Sequence, residues 1–338
     1  MATFGFDISA FSDFAKSEGK VIIQDLILGA NSFEICAIQD GIKSSDIVID
    51  ISLNGGTYLQ SGDYTGAWAG SANGSAGNFS GTTKFANKTI TVKELFVKEL
   101  YKKLDIERAV AQMLMKQGSS PDDLPEFYRN IIMTLKGDQI RLLEDYQIWQ
   151  GQATGYTNTY QQFSGFLNQL QKGESGALSL GAKKSLAQYY TGTTAAQNVI
   201  NIVEGWYQTA IANFPQWIET NETIRMYMSP ANYDMYFRVV YKLAGAVQDA
   251  LTLNVIDTVS EFRIPGTKMI VTRTAGLNGL NNVIITRENN LVVGCDLQSE
   301  NEEQFKFEYL NESMIWRLFA LFKLGCLVVR PTESLLSL

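Results

Sequence analysis

The stretch from Asn289 to Tyr309, NNLVVGCDLQSENEEQFKFEY, concentrates residues that can do chemistry: Cys295 beside Asp296, then Glu300, Glu302 and Glu303, with Gly294 reading as a turn between apolar strands. A thiolate among carboxylates suggests a metal site or a nucleophile. The partners for either are missing. The chain has no histidine, which removes the commonest general base, the commonest metal ligand and every Ser/His or Cys/His pair. Hard carboxylates do not complement a soft thiolate, and Cys36, Cys295 and Cys326 show no CxxC spacing. The acids read as charges solvating a turn between strands.

Two adjacent acid pairs, Asp122 with Asp123 and Glu144 with Asp145, are the other candidates for acid/base work. Neighbours on a helix diverge by about 100° and cannot flank one bond unaided, so they read as helix N-terminal or solvated-face charges. No GxGxxG, HExxH, GxSxG or EF-hand pattern occurs, and SGTTK lacks the order of a P-loop. Nothing here asks for an enzyme, a cofactor or a metal. The aromatic residues could line a sugar-binding groove, yet Trp149, Trp206 and Trp316 fall on apolar periodic faces and read as core.

A chain of 338 residues exceeds one ordinary core and implies two or three subdomains. Its formal net charge of -7 opposes a surface built to grip phosphates. MIWRLFALFKLGCLVV, from Met314, is interrupted by Arg317 and Lys323 and is too short for a membrane span. The first residues lack a basic start followed by an apolar core. A soluble intracellular product is expected.

The elements that must position these residues follow from periodicity. Residues 1–45 carry short apolar groups without a long period and read as an extended arm. DIVIDISL, from Asp46, alternates as a strand, and TKFANKTITVKELFV returns as another. Between them, Asn54 to Thr83 holds eight glycines, four aromatics and no positive charge. Strand, Gly-rich excursion and strand make a projecting β-hairpin, and an excursion of that length wants a partner. A helix is expected near Asp105 to Gln117. The next runs from Pro125 to Gly151, with Phe127, Ile131, Leu135, Leu142, Tyr146 and Trp149 on one face. At roughly 39 Å it reads as a strut.

Short helices are expected within 152–192. A second amphipathic helix begins after Thr194, puts Val199, Val203, Trp206 and Ala210 inward and stops before Pro215. TIRMYMSPANYDMYFRVV then predicts a strand, a Ser229 N-cap, Pro230 at the first helical position and a helix through Tyr233, Phe237 and Val240. From Phe262 the pattern is β. Helices in the middle and strands at both ends predict an α+β class whose first and last strands share a sheet.

Taken in order, the arm, the Gly-rich hairpin, the strut ending in LLEDYQIWQGQ, the block IRMYMSPANYDMY and the closing run from IPGTKMIVTRTAGLNG to FALFKLGCLVVRPTE resemble the major capsid protein of tailed bacteriophages, the Hong Kong 97-type fold. That resemblance implies an N-terminal arm (1–45), an E-loop hairpin lying across a neighbouring subunit (46–97), a P domain with its spine helix (98–151), an A domain (152–285) and C-terminal strands returning to the P domain (286–338). It further implies assembly through hexamers and pentamers into an icosahedral head around double-stranded DNA, in the host cytoplasm, with portal, decoration or head-completion proteins and a separate scaffolding protein or none. Tyr58, Tyr64, Trp68, Phe79, Lys84 and Phe85 would be the E-loop contacts. No crosslink or catalytic acid carries over. Two other readings stand beside it: an encapsulin-type nanocompartment shell, and a carbohydrate- or surface-binding protein.

Overall fold

The computed structural model describes residues 29–54, 82–102, 138–152, 162–171, 176–191, 194–215, 217, 223–245, 260–264, 266–296, 305–310 and 315–338. The class is α+β, and three sheets organise it.

The longest strand, β12 (Ile315–Val328), spans 14 residues, about 46 Å at the usual rise. It is the spine of a five-stranded sheet. On one side lie β10 (Leu291–Cys295) and β11 (Phe305–Leu310), both antiparallel and set end to end along it. On the other lies β4 (Lys93–Lys102), paired from Lys102 opposite Ile315 to Lys93 opposite Leu324. A short β1 (Ala37–Gln39) runs parallel to β10. Early and late strands therefore share one sheet, as the pattern of elements predicts.

One face of this sheet, through Leu291, Val293, Cys295, Phe322, Leu324, Cys326 and Val328, builds a first core. Helices α1 (Asn31–Ile35), α2 (Asp138–Gln150) and α3 (Phe166–Gln171) close it. Trp149 is its centre, edge-on to Phe166 with ring centroids 5.1 Å apart and 5.2 Å from Tyr227. Gly276 makes this possible, because a Cβ there would stand 2.2 Å from the Trp149 ring.

A six-stranded sheet runs β5 (Leu178–Ser179), β13 (Leu335–Leu336), β9 (Val283–Arg287), β6 (Ile224–Met228), β8 (Met269–Arg273), β7 (Glu261–Arg263). Period-two alternation makes it a wall between two cores. Tyr227, Ile284 and Leu336 face the first core; Met226, Met228, Ile285 and Leu335 face a second. Helices α4 (Leu186–Tyr189), α5 (Ala195–Asn213) and α6 (Pro230–Gly245) cover the second core. On α5 the buried residues are Val199, Val203, Trp206 and Ala210, the inward set read from sequence. Asn232 ties α4 to α6: its Oδ1 accepts from the Leu186 N–H at 2.9 Å, and its Nδ2 donates to the Lys184 carbonyl at 3.1 Å.

Four readings of individual residues are corrected. Gly294 is no turn but an interior strand position opposite Gly325. Ser229 precedes α6, yet its hydroxyl is buried with no hydrogen-bond partner among the described residues; its carbonyl instead accepts from the Tyr233 N–H at 2.9 Å. Leu142 is 41% exposed despite sharing a helical face with Trp149. Burial on α2 follows the axis more than one face, since Ile140 alone enters the first core from the first turn whereas the last two turns bury Glu144, Asp145, Gln147, Ile148 and Trp149. For that reason Glu144 and Asp145 are buried and are not solvated charges. Phe127, Ile131, Leu135, Asp122, Asp123 and the helix expected near residues 105–117 lie outside the described residues.

Candidate assembly surfaces

The described candidates are built into the core and are not arranged for chemistry. Cys295 is buried, and its thiol donates to Asp40 Oδ1 at 3.8 Å. Burial first, then the nearby Asp40 and Asp296 carboxylates, push this thiol up to about 12, the reverse of an activated nucleophile. The Cys326 thiol is also raised, by burial. Asp296 does not solvate a turn: it is buried, with Lys323 Nζ 3.6 Å away. Glu300, Glu302 and Glu303 lie outside the described residues. No group of three or more His, Cys, Asp or Glu among the described residues could hold a metal ion. Trp149 and Trp206 are core, which removes them from any sugar-binding groove.

The second face of the β12 sheet holds the unusual geometry. Strands β2 (Ser45–Asn54) and β3 (Thr82–Thr91) pair antiparallel over ten positions, from Ser45 opposite Thr91 to Asn54 opposite Thr82. The root of this ribbon lies on the sheet through Ile42, Ile90 and Val92, packed against Val292 and Val329. Gly294 and Gly325 make the seat. A Cβ on Gly325 would stand 2.3 Å from the Thr91 carbonyl oxygen, and one on Gly294 would stand 2.8 Å from the tips of Ile42 and Ile90. Two facing glycines thus cut a notch in which the ribbon backbone crosses the sheet, a use of glycine for close approach. After Val92 the chain steps down into the sheet as β4.

Beyond the notch the same face lies open. The register sets Glu94 opposite Lys323, Phe96 opposite Leu321, Lys98 opposite Phe319 and Leu100 opposite Arg317, all on the face away from the first core. Phe96 is 67% exposed and Leu100 57%. Lys323 marks the boundary: its ammonium donates to the Lys43 carbonyl at 2.9 Å and lies 3.9 Å from Glu94 and 3.6 Å from Asp296. On the ribbon, Ile47 is 55% exposed. A subunit folding alone gains nothing from such side chains in water, which makes this strip a candidate contact surface.

Of the residues assigned to the E-loop by resemblance, Lys84 and Phe85 occupy β3, opposite Ser52 and Ile51. Tyr58, Tyr64, Trp68 and Phe79 lie outside the described residues. The strut set divides: Trp149 is core, Tyr146 is half-buried and its hydroxyl accepts from Asn278 Nδ2 at 3.2 Å, and Leu142 is exposed. The glycine notch was missed, although the repeated Gly-Cys within two apolar strands was its one visible trace. Phe96 and Leu100 were passed over because alternation alone does not say which face a neighbour covers.

No family model and no curated protein matches the sequence. Solved structures do match. The chain superposes on a protein in the capsid of Myoviridae phage XM1 with TM-score 0.51 at 14% identity, covering 89% of this chain and 88% of that one. It superposes on one in the satellite phage P4 procapsid that includes the size determination (Sid) protein with TM-score 0.52 at 10% identity, covering 94% and 98%. The chain has the Hong Kong 97-type capsid fold. A virus-like particle from Pyrococcus furiosus matches more loosely, with TM-score 0.47 at 9% identity over 98% of both chains. The Hong Kong 97-type fold extends over most of the chain at an identity where individual residue roles do not transfer. The notch and the open strip therefore stand on this chain's own geometry.

Proposed function

We propose that this chain is a major capsid protein that assembles with copies of itself, through hexamers and pentamers, into an icosahedral head enclosing double-stranded DNA. The half-open face of the β12 sheet carries the reading: Phe96 and Leu100 continue the apolar surface on which the subunit's own ribbon sits, and a second copy completes the cover. In this assignment the ribbon β2–β3 and its Gly-rich extension are the E-loop (46–97), α2 belongs to the P domain (98–151), the second core is the A domain (152–285), residues 1–45 are the arm and residues 286–338 return to the P domain. A two-stranded, Gly-rich ribbon is marginal alone and costs much chain entropy to order, so its outer part gains fixed contacts on a neighbour, with Tyr58, Tyr64 and Trp68 as anchors. The net negative charge suits a container whose polyanion must slide. Portal, scaffolding and decoration or head-completion proteins are the expected additional partners.

The test is expression of the chain alone in bacteria, followed by light scattering and negative-stain microscopy. Closed shells, tubes or rings of five or six support the reading, and deletion of residues 58–80 should leave a folded subunit that forms none of them. A monodisperse 37.6 kDa species that persists at high concentration, with molecular crowders and with a co-expressed scaffold overturns it. Shells purified from their native source should contain nuclease-protected DNA; an enclosed enzyme in its place would make the chain an encapsulin-type shell.

A further inference from the structure

Glu144 and Asp145 sit side by side in the last two turns of α2, and the structure uses them differently. Asp145 has a task. It accepts from the Asn31 N–H at 3.2 Å, from the Ser32 N–H at 2.8 Å and from the Ser32 hydroxyl, which in turn accepts from Trp149 Nε1 at 2.9 Å. It caps α1 from a distant segment. Glu144 is equally buried, at 3% exposure, and neither of its carboxyl oxygens has a hydrogen-bond partner among the described residues. A carboxylate in that position would be desolvated, uncompensated by hydrogen bonds and beside a second negative charge.

We propose that the folded subunit holds Glu144 as the neutral acid, and that its ionisation loosens the buried end of α2, so that the subunit is firmest in mild acid and yields as the medium turns alkaline. Among the described residues the charged groups around it are few. On α2 itself, Asp145 opposes its ionisation and Arg141 favours it; burial is the largest effect, and the balance lies well above the ordinary carboxylate range. From α1 and the residue that follows it, Glu34 and the half-buried Cys36 act on Asp145. Neither α3 nor the turn Ala275–Leu277 packed on α2 carries a titratable side chain. Across the core stand Cys326 on β12 and Tyr227, with Arg225 beyond. None of these places a cation against Glu144 beyond Arg141.

A carboxyl raised in the folded state contributes stability that is complete below its unfolded value of about 4.3, and that contribution is lost as pH rises through the folded value. Asp145 is raised too, by burial against its hydrogen bonds with Ser32 and Asn31, so both residues slope the same way and variants must separate them. This inference concerns the subunit and does not rest on the capsid reading.

The experiment is denaturant unfolding of the full chain, followed by tryptophan fluorescence, at intervals from about pH 5 to about pH 8, on the wild type, Glu144→Gln and Asp145→Asn, with infrared spectra of the folded proteins. The expected result is a wild-type midpoint that falls with rising pH, a Glu144→Gln midpoint that falls less steeply and stands higher than the wild type at alkaline pH, and a protonated-carboxyl band at neutral pH that weakens in Glu144→Gln. A pH-independent wild type, a Glu144→Gln protein that keeps the wild-type slope, or a slope abolished only by Asp145→Asn overturns the proposal.

Discussion

The two halves of one sheet face differ in what lies on them. At the β10 end the face is covered by the subunit's own ribbon, seated in the Gly294/Gly325 notch and sealed by Ile42, Ile90 and Val92. At the β4 end the same face presents Phe96 and Leu100 to water. The strand β12 is continuous through both, so neither propensity nor pleat explains the contrast. The side chains do. Where two glycines face each other a backbone can cross at contact distance, and where Phe, Leu, Lys and Arg alternate no backbone can cross so closely. The covered half should govern folding and the open half association.

The most severe way to break this contrast is Gly325→Val. Its Cβ meets backbone, not a side-chain tip, so the ribbon root must lift, and unfolding in denaturant should show a loss of about 3 kcal/mol, the upper part of the overpacking range. Ile90→Ala removes the root's main apolar side chain without a clash. It should cost about 2–3 kcal/mol in the same measurement and leave the five-stranded sheet intact by circular dichroism. Lys323→Ala acts at the boundary: it strips the buried Asp296 of its cation and should cost about 1–2 kcal/mol. Phe96→Ser sharpens the contrast from the other side. Subunit stability should stay within about 0.5 kcal/mol, while shell yield by sedimentation should collapse. A Phe96→Ser protein that assembles normally would mean that the open half is not a contact.

How far this was legible in sequence depended on whether a signal was local. The α5 inward face and the strand and Pro-led helix at Ile224–Gly245 rest on short-range periodicity, the return of late strands to an early one rests on the order of elements those periods define, and all appear. Asp145 and Glu144 were misread because helical periodicity reports a face, whereas their burial comes from how deep the end of α2 enters the core. Asp145 is satisfied by Asn31 and Ser32, more than a hundred residues earlier, and no local pattern announces such a partner. Gly294 looked like a turn because glycine in isolation usually is one; only its pairing with Gly325 reveals the notch. Phe96 and Leu100 follow their strand's alternation faithfully, and sequence offers no sign that the face they occupy is left bare.

The wall between the two cores carries a consequence for biogenesis. Its β13 strand is drawn from residues 335–336 yet sits inside the sheet, holding β5 on one side and β9 on the other, with Ser337 accepting from the Val283 N–H and the Asn282 amide. Neither core is sealed until that strand is in place, since Leu335 fills one and Leu336 the other. On the ribosome, residues 178–287 must therefore wait with an unfilled slot in their sheet until residue 336 has emerged. A chain cut before Leu335 would lack both plugs, so a strand made more than forty residues after its β9 partner closes both cores at once.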